Sequence, residues 1–310
     1  MNKCLFCYKD SDGAFYHKKC CKRFFGTETY PLIEIDSEKL KELAMVTVSN
    51  RTALTGVQPK LSLSLEAMDK HTKRLTIVGF NGDYILKPQS TDYPFMPEVE
   101  DLTMHLAKHF GINTAEHALI KDVNGQIAYL TKRFDRVKQT KIHVEDFCQL
   151  SELLTEQKYK SSYERGGKLI QKYATDYGLD TINYFRIILF SFLTGNNDMH
   201  LKNFSLVHLD QKIALAPAYD LLNVNLLFPK DKEELALTLN SKKNKLKKSD
   251  FEILASNLGI SSVVVNNIFK LVRKKLSTAD QLIDSSFLSE SYKQRYAEIL
   301  MQKARQIDLI

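Results

Sequence analysis

A strongly apolar run, Phe185 to Leu193, gives way at Gly195 to GNNDMHLKNFSL and then to the alternating FSLVHL, Phe204 to Leu209. The apolar run reads as the end of a buried helix, LDTINYFRIILFSFL, and the alternation as a half-buried strand. A turn at Asp210-Gln211 and the apolar IALA, Ile213 to Ala216, complete a short hairpin, after which PAYDLL brings Asp220. Between helix and hairpin lies a polar stretch that carries Asp198, His200, Lys202 and Asn203.

Asp198 precedes Asn203 by five residues. The same D-x-x-x-x-N spacing occurs in the catalytic loop of protein kinases, where the Asp accepts the substrate hydroxyl proton and the Asn binds magnesium. About one such match is expected by chance at this composition, so the context decides. Magnesium is a hard cation that takes oxygen ligands, and a site of that kind needs a second carboxylate; Asp220, after the hairpin, fills that place. Read singly, Asp198 and Asp220 are more simply turn-forming acids.

A chain of 310 residues, 44% hydrophobic and 26% charged, is long enough for two lobes with real cores. No run approaches the ~18 apolar residues of a spanning helix, and MNKCLFCYKD lacks the apolar core of a signal peptide, so a cytoplasmic protein with no membrane partner is expected. The 44 Lys+Arg against 37 Asp+Glu leave +7, part of it in KKNKLKK, Lys242 to Lys248. Such a run suits an acidic partner or nucleic acid, and more often is a solvated turn.

Four of the five cysteines fall in the first twenty-one residues, as Cys4-x-x-Cys7, then His17, then Cys20-Cys21. Without an export signal a disulfide framework is not expected, and a small zinc knuckle is the sharper reading, with Cys4, Cys7, Cys20 and either His17 or Cys21 as ligands. The bland reading is reduced thiols packed in a short leader.

From Lys60 to Glu66 Leu alternates with Ser, as in a half-buried strand, behind a Gly-containing loop, Thr52 to Pro59. A second strand, Arg74 to Val78, turns at Asn81-Gly82 into DYILKP, which ends on Lys87. This order matches the upper lobe of a kinase, a loop over the phosphates followed by a strand whose Lys contacts them. With Gly56 alone in the loop, cover over the phosphates falls to other backbone and to side chains such as Gln58 and Lys60. PEVEDLTMHLAKHFG is an amphipathic helix opened by Pro97 and stopped by Gly111. Glu100 in its first turn is placed to orient Lys87, or simply to suit the helix dipole. Strands at His117 to Lys121 and Gln126 to Thr131 lead to Lys132, Arg133 and Phe134, where a kinase hinge would read adenine. From His143 the pattern turns helical, through HVEDFCQLSELL and YERGGKLIQKYATDYG to two further helices at about Ser262 to Ile283 and Ser289 to Ile307.

Taken in order, TGVQPKLSLSL, YILKP, PEVEDLTMHLAKHFGI, YLTKRFDR, HVEDFCQL, GNNDMHLKNFSL and LAPAYDLL resemble the HipA family of bacterial Ser/Thr kinase toxins, from about Thr52 onward. The resemblance implies an α+β, two-lobed, protein-kinase-like fold, with a small β-rich N-lobe and a larger all-helical C-lobe. The expected division is a Cys-rich leader and helical lead-in over 1–50, the N-lobe over 51–136 and the C-lobe over 137–310. It also implies Asp198 as catalytic base with His200 and Lys202 beside it. Asn203 and Asp220 become magnesium ligands, and Lys87, paired with Glu100, contacts phosphate. The loop Thr55, Gly56, Val57, Gln58 to Lys60 covers ATP, the hinge is Lys132 to Phe134, and Tyr219 and His200 line the nucleotide site.

Kinase-like blocks that begin near residue 50 behind a short leader resemble the HipT branch, in which the missing piece is a separate small protein, HipS, encoded with a DNA-binding HipB. Partners of those two kinds are implied, with DNA reached only through the antitoxin. The family's phosphorylated loop serine corresponds to Ala53, so autophosphorylation is expected at Thr55 or Thr52. The implied activity is ATP- and magnesium-dependent phosphorylation of a protein, in this family an aminoacyl-tRNA synthetase. A pseudokinase scaffold or an AMP transferase on the same fold is the first alternative, and a DNA-associated regulator the second.

Overall fold

The computed structural model describes residues 3–33, 60–69, 72–78, 81–137 and 140–310. Two compact units divide the chain. The first is Met1–Asp101, Ala115–Gln139 and Ser285–Leu288; the second is Leu102–Thr114, Thr140–Asp284 and Ser289–Ile310.

In the first unit a short helix, α1 (Lys18–Phe25), precedes the strands β1 (Leu61–Ala67), β2 (Lys73–Val78) and β3 (Tyr84–Lys87). Helix α2 (Met96–His109) follows, its residues from Leu102 onward belonging to the second unit, and the first unit resumes with β4 (His117–Lys121) and β5 (Ile127–Lys132). The strands form one antiparallel sheet in the order β2-β1-β3-β5-β4, in which Lys87 stands opposite Tyr129. The Leu–Ser alternation of β1 buries Leu61 and Leu63 on one face, as a period of two requires. Gly82 in the turn before β3 lies against β1; a Cβ there would meet Leu63 O at 2.5 Å and Ser62 Oγ at 2.4 Å.

The leader belongs to this sheet's core. Cys4, Leu5, Tyr16, Cys20, Phe24 and Phe25 pack in one buried cluster with Leu61, Leu63, Leu75, Leu86 and Leu119. Tyr16 donates to Leu119 O at 2.5 Å, Leu119 N donates to Leu5 O at 3.1 Å, and Tyr84 donates to Phe24 O at 3.1 Å. Those bonds set the leader's register on β4 and β3.

The second unit is mainly helical, with α3 (Tyr163–Tyr173), α4 (Tyr177–Leu193), α5 (Lys248–Asn257), α6 (Ser262–Leu276) and α7 (Glu290–Gln306). Helix α4 is apolar on most sides and is buried accordingly, from Tyr184 to Leu193 apart from the half-buried Arg186. Gly166 and Gly167 let α3 approach its neighbours: a Cβ at Gly166 would lie 2.1 Å from Tyr184 Oη, and one at Gly167 2.0 Å from Leu258 Cδ2.

The all-helical label for this part needs amendment. Val144–Asp146 (β6), Ser205–Leu209 (β7) and Lys212–Leu215 (β8) form a three-stranded antiparallel sheet. The expected hairpin supplies two of its strands. HVEDFCQLSELL, read as helix, supplies the third: Val144 to Asp146 pair with Val207 to Ser205, and only Phe147–Leu150 is helical. Asp146 caps that turn by accepting from Gln149 N at 2.8 Å. The expected helix Ser262 to Ile283 is interrupted after Leu276 and resumes at Ala279–Ser285. Lysines of the 242–248 run are engaged locally: Lys242 contacts Asp250 (2.7 Å), Lys243 Glu233 (3.0 Å), and Lys248 lies over the Phe269 ring. Among the described residues no helix is long and apolar enough to cross a membrane.

Candidate active site

Helix α4 delivers the polar loop. Thr194 closes the helix through its hydroxyl, which donates to Phe190 O at 2.9 Å. Gly195 then takes φ +64°, where a Cβ would also lie 2.8 Å from Asn225 Oδ1 and 3.1 Å from Asn223 Oδ1. The reversal therefore needs glycine for both conformation and space. Asn225 N donates back to Gly195 O at 3.0 Å, and Asn197 Nδ2 donates to Glu233 O at 2.9 Å.

Beyond Gly195 the apolar side chains Met199 and Leu201 are fully buried, and Tyr163 donates to Met199 O at 3.0 Å. With its neighbours anchored inward, Asp198 is the one exposed residue between Phe185 and Val207 other than intermediate positions. Its carboxylate is not loose, because Tyr159 Oη donates to Asp198 Oδ1 at 2.5 Å. The loop backbone closes behind it: His200 N and Asn203 Nδ2 both donate to Asp198 O, at 2.8 and 3.0 Å.

His200 is buried and meets the Tyr159 ring edge-on at 5.0 Å. Burial pushes its pKa below the usual imidazole range, while Asp198 and Asp220 both pull the other way, so the two carboxylates share one electrostatic neighbourhood. His200 Nδ1 and Asn197 Oδ1 are buried without a hydrogen-bond partner among the described residues. Orphaned polar atoms of this kind are what an absent bound group or water leaves. Lys202 Nζ donates to Asp146 Oδ2 at 2.8 Å, and Tyr219 Oη donates to Lys202 O at 2.9 Å and lies 2.6 Å from Ser205 Oγ. Asp220 follows at φ +59°, a left-handed backbone that Asp tolerates better than most residues and that is often kept at working sites. Asn203 and Asp220 each carry a side-chain oxygen, the donor type that a hard cation such as magnesium takes.

In the first unit, Lys87 Nζ lies 2.6 Å from Glu100 Oε1 with both side chains buried, and 5.5 Å above the Tyr129 ring. Lys132 N and Arg133 N are committed to Glu116 O (2.7 Å) and Asp83 O (2.8 Å), and Arg133 grips Asp135 with two bonds. Cys4, Cys7, His17 and Cys20 have ligand atoms all within 4.8 Å of one another, whereas Cys21 donates to Thr29 O at 2.9 Å. Lys60 is exposed. Thr52, Thr55, Gly56, Val57 and Gln58 lie outside the described residues.

Sequence reasoning missed Tyr159, Asp146, Asn197 and Asn223. Tyr159 and Asp146 stand 39 and 56 residues before the side chains they hold, so only the fold brings them there.

This is a kinase-like fold. A solved complex described as the Shewanella oneidensis toxin–antitoxin system HipA, HipB and operator DNA contains a chain that superposes with TM-score 0.68 at 20% identity, covering 90% of this chain and 72% of that one. The Helicobacter pylori proinflammatory kinase CtkA matches with TM-score 0.55 at 14% identity, over 80% of this chain and 94% of that one. In sequence, a Haemophilus influenzae protein named "Putative kinase" is 28% identical over 269 residues, 77% of each chain. The Shewanella oneidensis serine/threonine-protein kinase toxin HipA is 24% identical over 247 residues, 72% of this chain and 55% of that protein. The profile of the HipA-like C-terminal domain matches residues 52–279, and the chain belongs to that family.

Proposed function

We propose that this protein is an ATP-dependent Ser/Thr protein kinase that acts as the toxin of a toxin–antitoxin system. The observation that carries the reading is Asp198: an exposed carboxylate on a mostly buried loop, with one carboxylate oxygen accepting from the Tyr159 hydroxyl and its backbone carbonyl accepting from His200 N and Asn203 Nδ2. Such a group is positioned to accept the proton of a substrate serine or threonine hydroxyl, and fixed orientation is most of what phosphoryl transfer asks of a protein. Asn203 and Asp220 would hold magnesium, which would supply positive charge to offset that of the ATP phosphates. Lys202, tied to Asp146, adds positive charge beside the base, and His200, kept neutral by burial, lines the site with Tyr219. Lys87 takes the phosphate role, oriented by Glu100. Because the amides of Lys132 and Arg133 are committed, the 132–134 stretch would meet adenine through other groups.

By the resemblance of its sequence blocks to the HipA family, the proposed partners are HipS-like and HipB-like proteins, as in the HipT branch, with DNA reached only through the latter. The Shewanella HipA chain was solved with HipB and operator DNA. An aminoacyl-tRNA synthetase is the proposed substrate, and Thr55 or Thr52 the proposed autophosphorylation site. Incubation with ATP labelled at the γ or the α position tests the chemistry. Transfer of γ label to protein serine or threonine is expected; α label on the product would make it a nucleotidyl transferase. Phosphoproteomics during brief induction identifies the target, and a result without any synthetase phosphopeptide would remove that substrate.

A further inference from the structure

Cys4 and Cys7 occupy a tight turn in which Cys4 N donates to Lys9 O at 2.8 Å and Tyr8 N donates to Cys4 O at 2.9 Å. Tyr8, directly after the second cysteine, has φ +64°. A non-glycine residue there costs roughly 1–2 kcal/mol, and it persists because its hydroxyl donates to Asp101 Oδ2 at 2.6 Å. His17 immediately precedes α1, and Cys20 lies in that helix's first turn, so the two side chains share one side of its start. Cys21, the next residue around the helix, turns to Thr29 instead.

The imidazole reveals its tautomer. His17 Nε2 is 2.7 Å from Asp10 O, which can only accept, so Nε2 carries the hydrogen. Nδ1 then presents a lone pair, and it does so 3.4 Å from Cys7 Sγ and 3.6 Å from Cys20 Sγ. Zinc with bonds of about 2.3 Å to sulfur and 2.0–2.1 Å to nitrogen holds tetrahedral N and S ligands about 3.6 Å apart. A carbonyl behind the ligating histidine is also the usual way of fixing its orientation.

We propose that Cys4, Cys7, His17 and Cys20 bind one zinc ion in a closed site of three sulfurs and one nitrogen, and that this ion locks the leader onto the five-stranded sheet. Binding converts three thiols to thiolates and releases three protons to solvent, with no redox change. Four protein ligands leave no open position, so the ion is structural. A single turn and an eight-residue helix have little hold of their own, yet they contribute Leu5, Tyr16, Phe24 and Phe25 to the core of the first unit. Metal binding therefore couples to the folding of that unit.

Elemental analysis of the full chain, purified without chelator, tests this independently of phosphoryl transfer. One zinc per chain is expected for the wild type and for Cys21→Ser, with at least a tenfold loss in Cys7→Ser, a half-buried position. Cobalt added to the metal-free wild type should give the intense visible bands of a tetrahedral thiolate site, saturating at one ion per chain. Should Cys7→Ser fail to fold, zinc titration of the metal-free wild type decides, with about three protons released per ion. Wild type without zinc that also takes up neither ion, or full zinc in folded Cys7→Ser, overturns the proposal.

Discussion

Tyr159 Oη donates to Asp198 Oδ1 at 2.5 Å, and the same tyrosine ring meets His200 edge-on at 5.0 Å. One side chain from outside the loop thus fixes the carboxylate and covers the imidazole. Burial first, and then the hydrogen bond to Asp198 and its charge, hold the Tyr159 hydroxyl protonated far above the ordinary range, so it remains a donor at every working pH.

Tyr159→Phe removes the donor and keeps the ring. On the proposed chemistry, kcat falls about tenfold through loss of orientation while KM for ATP changes little. Because Tyr159 is 41% exposed, the melting temperature should barely move. Steady-state kinetics beside a thermal melt checks this, and an unchanged kcat would take Tyr159 out of the account.

Gly195→Ala should be destabilising by about 2 kcal/mol or more, since the added Cβ meets Asn225 and the φ of +64° strains any L-residue. Denaturant unfolding measures it. A neutral effect would mean that the turn after α4 relaxes freely.

The buried Lys87–Glu100 pair gives a contrast between stability and activity. Glu100→Gln leaves a buried ammonium with a weaker partner and should cost about 3 kcal/mol, whereas the double variant Lys87→Met, Glu100→Leu should recover most of that. If Lys87 contacts phosphate, the double variant stays inactive despite its recovered stability. A stable double variant with normal activity would end the phosphate role.

Much of this architecture was legible in the chain. Leu–Ser alternation marked β1, Pro97 and Gly111 bracketed α2, and the apolar run before Gly195 marked α4 because each is a local pattern with its own period. What failed was non-local. Val144 to Asp146 carry a helical-looking pattern and are extended because β7 offers them a ladder. Within the site, the loop's acids stood out by spacing, but Tyr159 and Asp146 have no signal of their own; their partners reach them only through the folded chain. The choice between His17 and Cys21 was likewise left to geometry, since adjacent helical residues cannot face the same point.

Glu98, in the first turn of α2, sets a pH dependence of the first unit. Burial, with Asp101 adding to it, pushes its carboxyl from 4.5 to about 7, and its Oε2 has no hydrogen-bond partner among the described residues. The folded state therefore holds this proton more tightly than the unfolded one, and stability falls as pH rises from 4.5 through about 7. Glu98→Gln should be more stable than wild type at pH 8 by about 1–3 kcal/mol, the gap closing below pH 5. Unfolding curves at the two pH values check it; a gap independent of pH would contradict it.

The central claim is that Asp198 is the base of a phosphoryl transfer. Single-turnover transfer from γ-labelled ATP to a protein acceptor, measured for the wild type and for Asp198→Asn with matched melting curves, tests it most directly. The account predicts that the variant folds normally and loses about 10²- to 10⁴-fold in rate; near-normal transfer by a folded Asp198→Asn protein would contradict it.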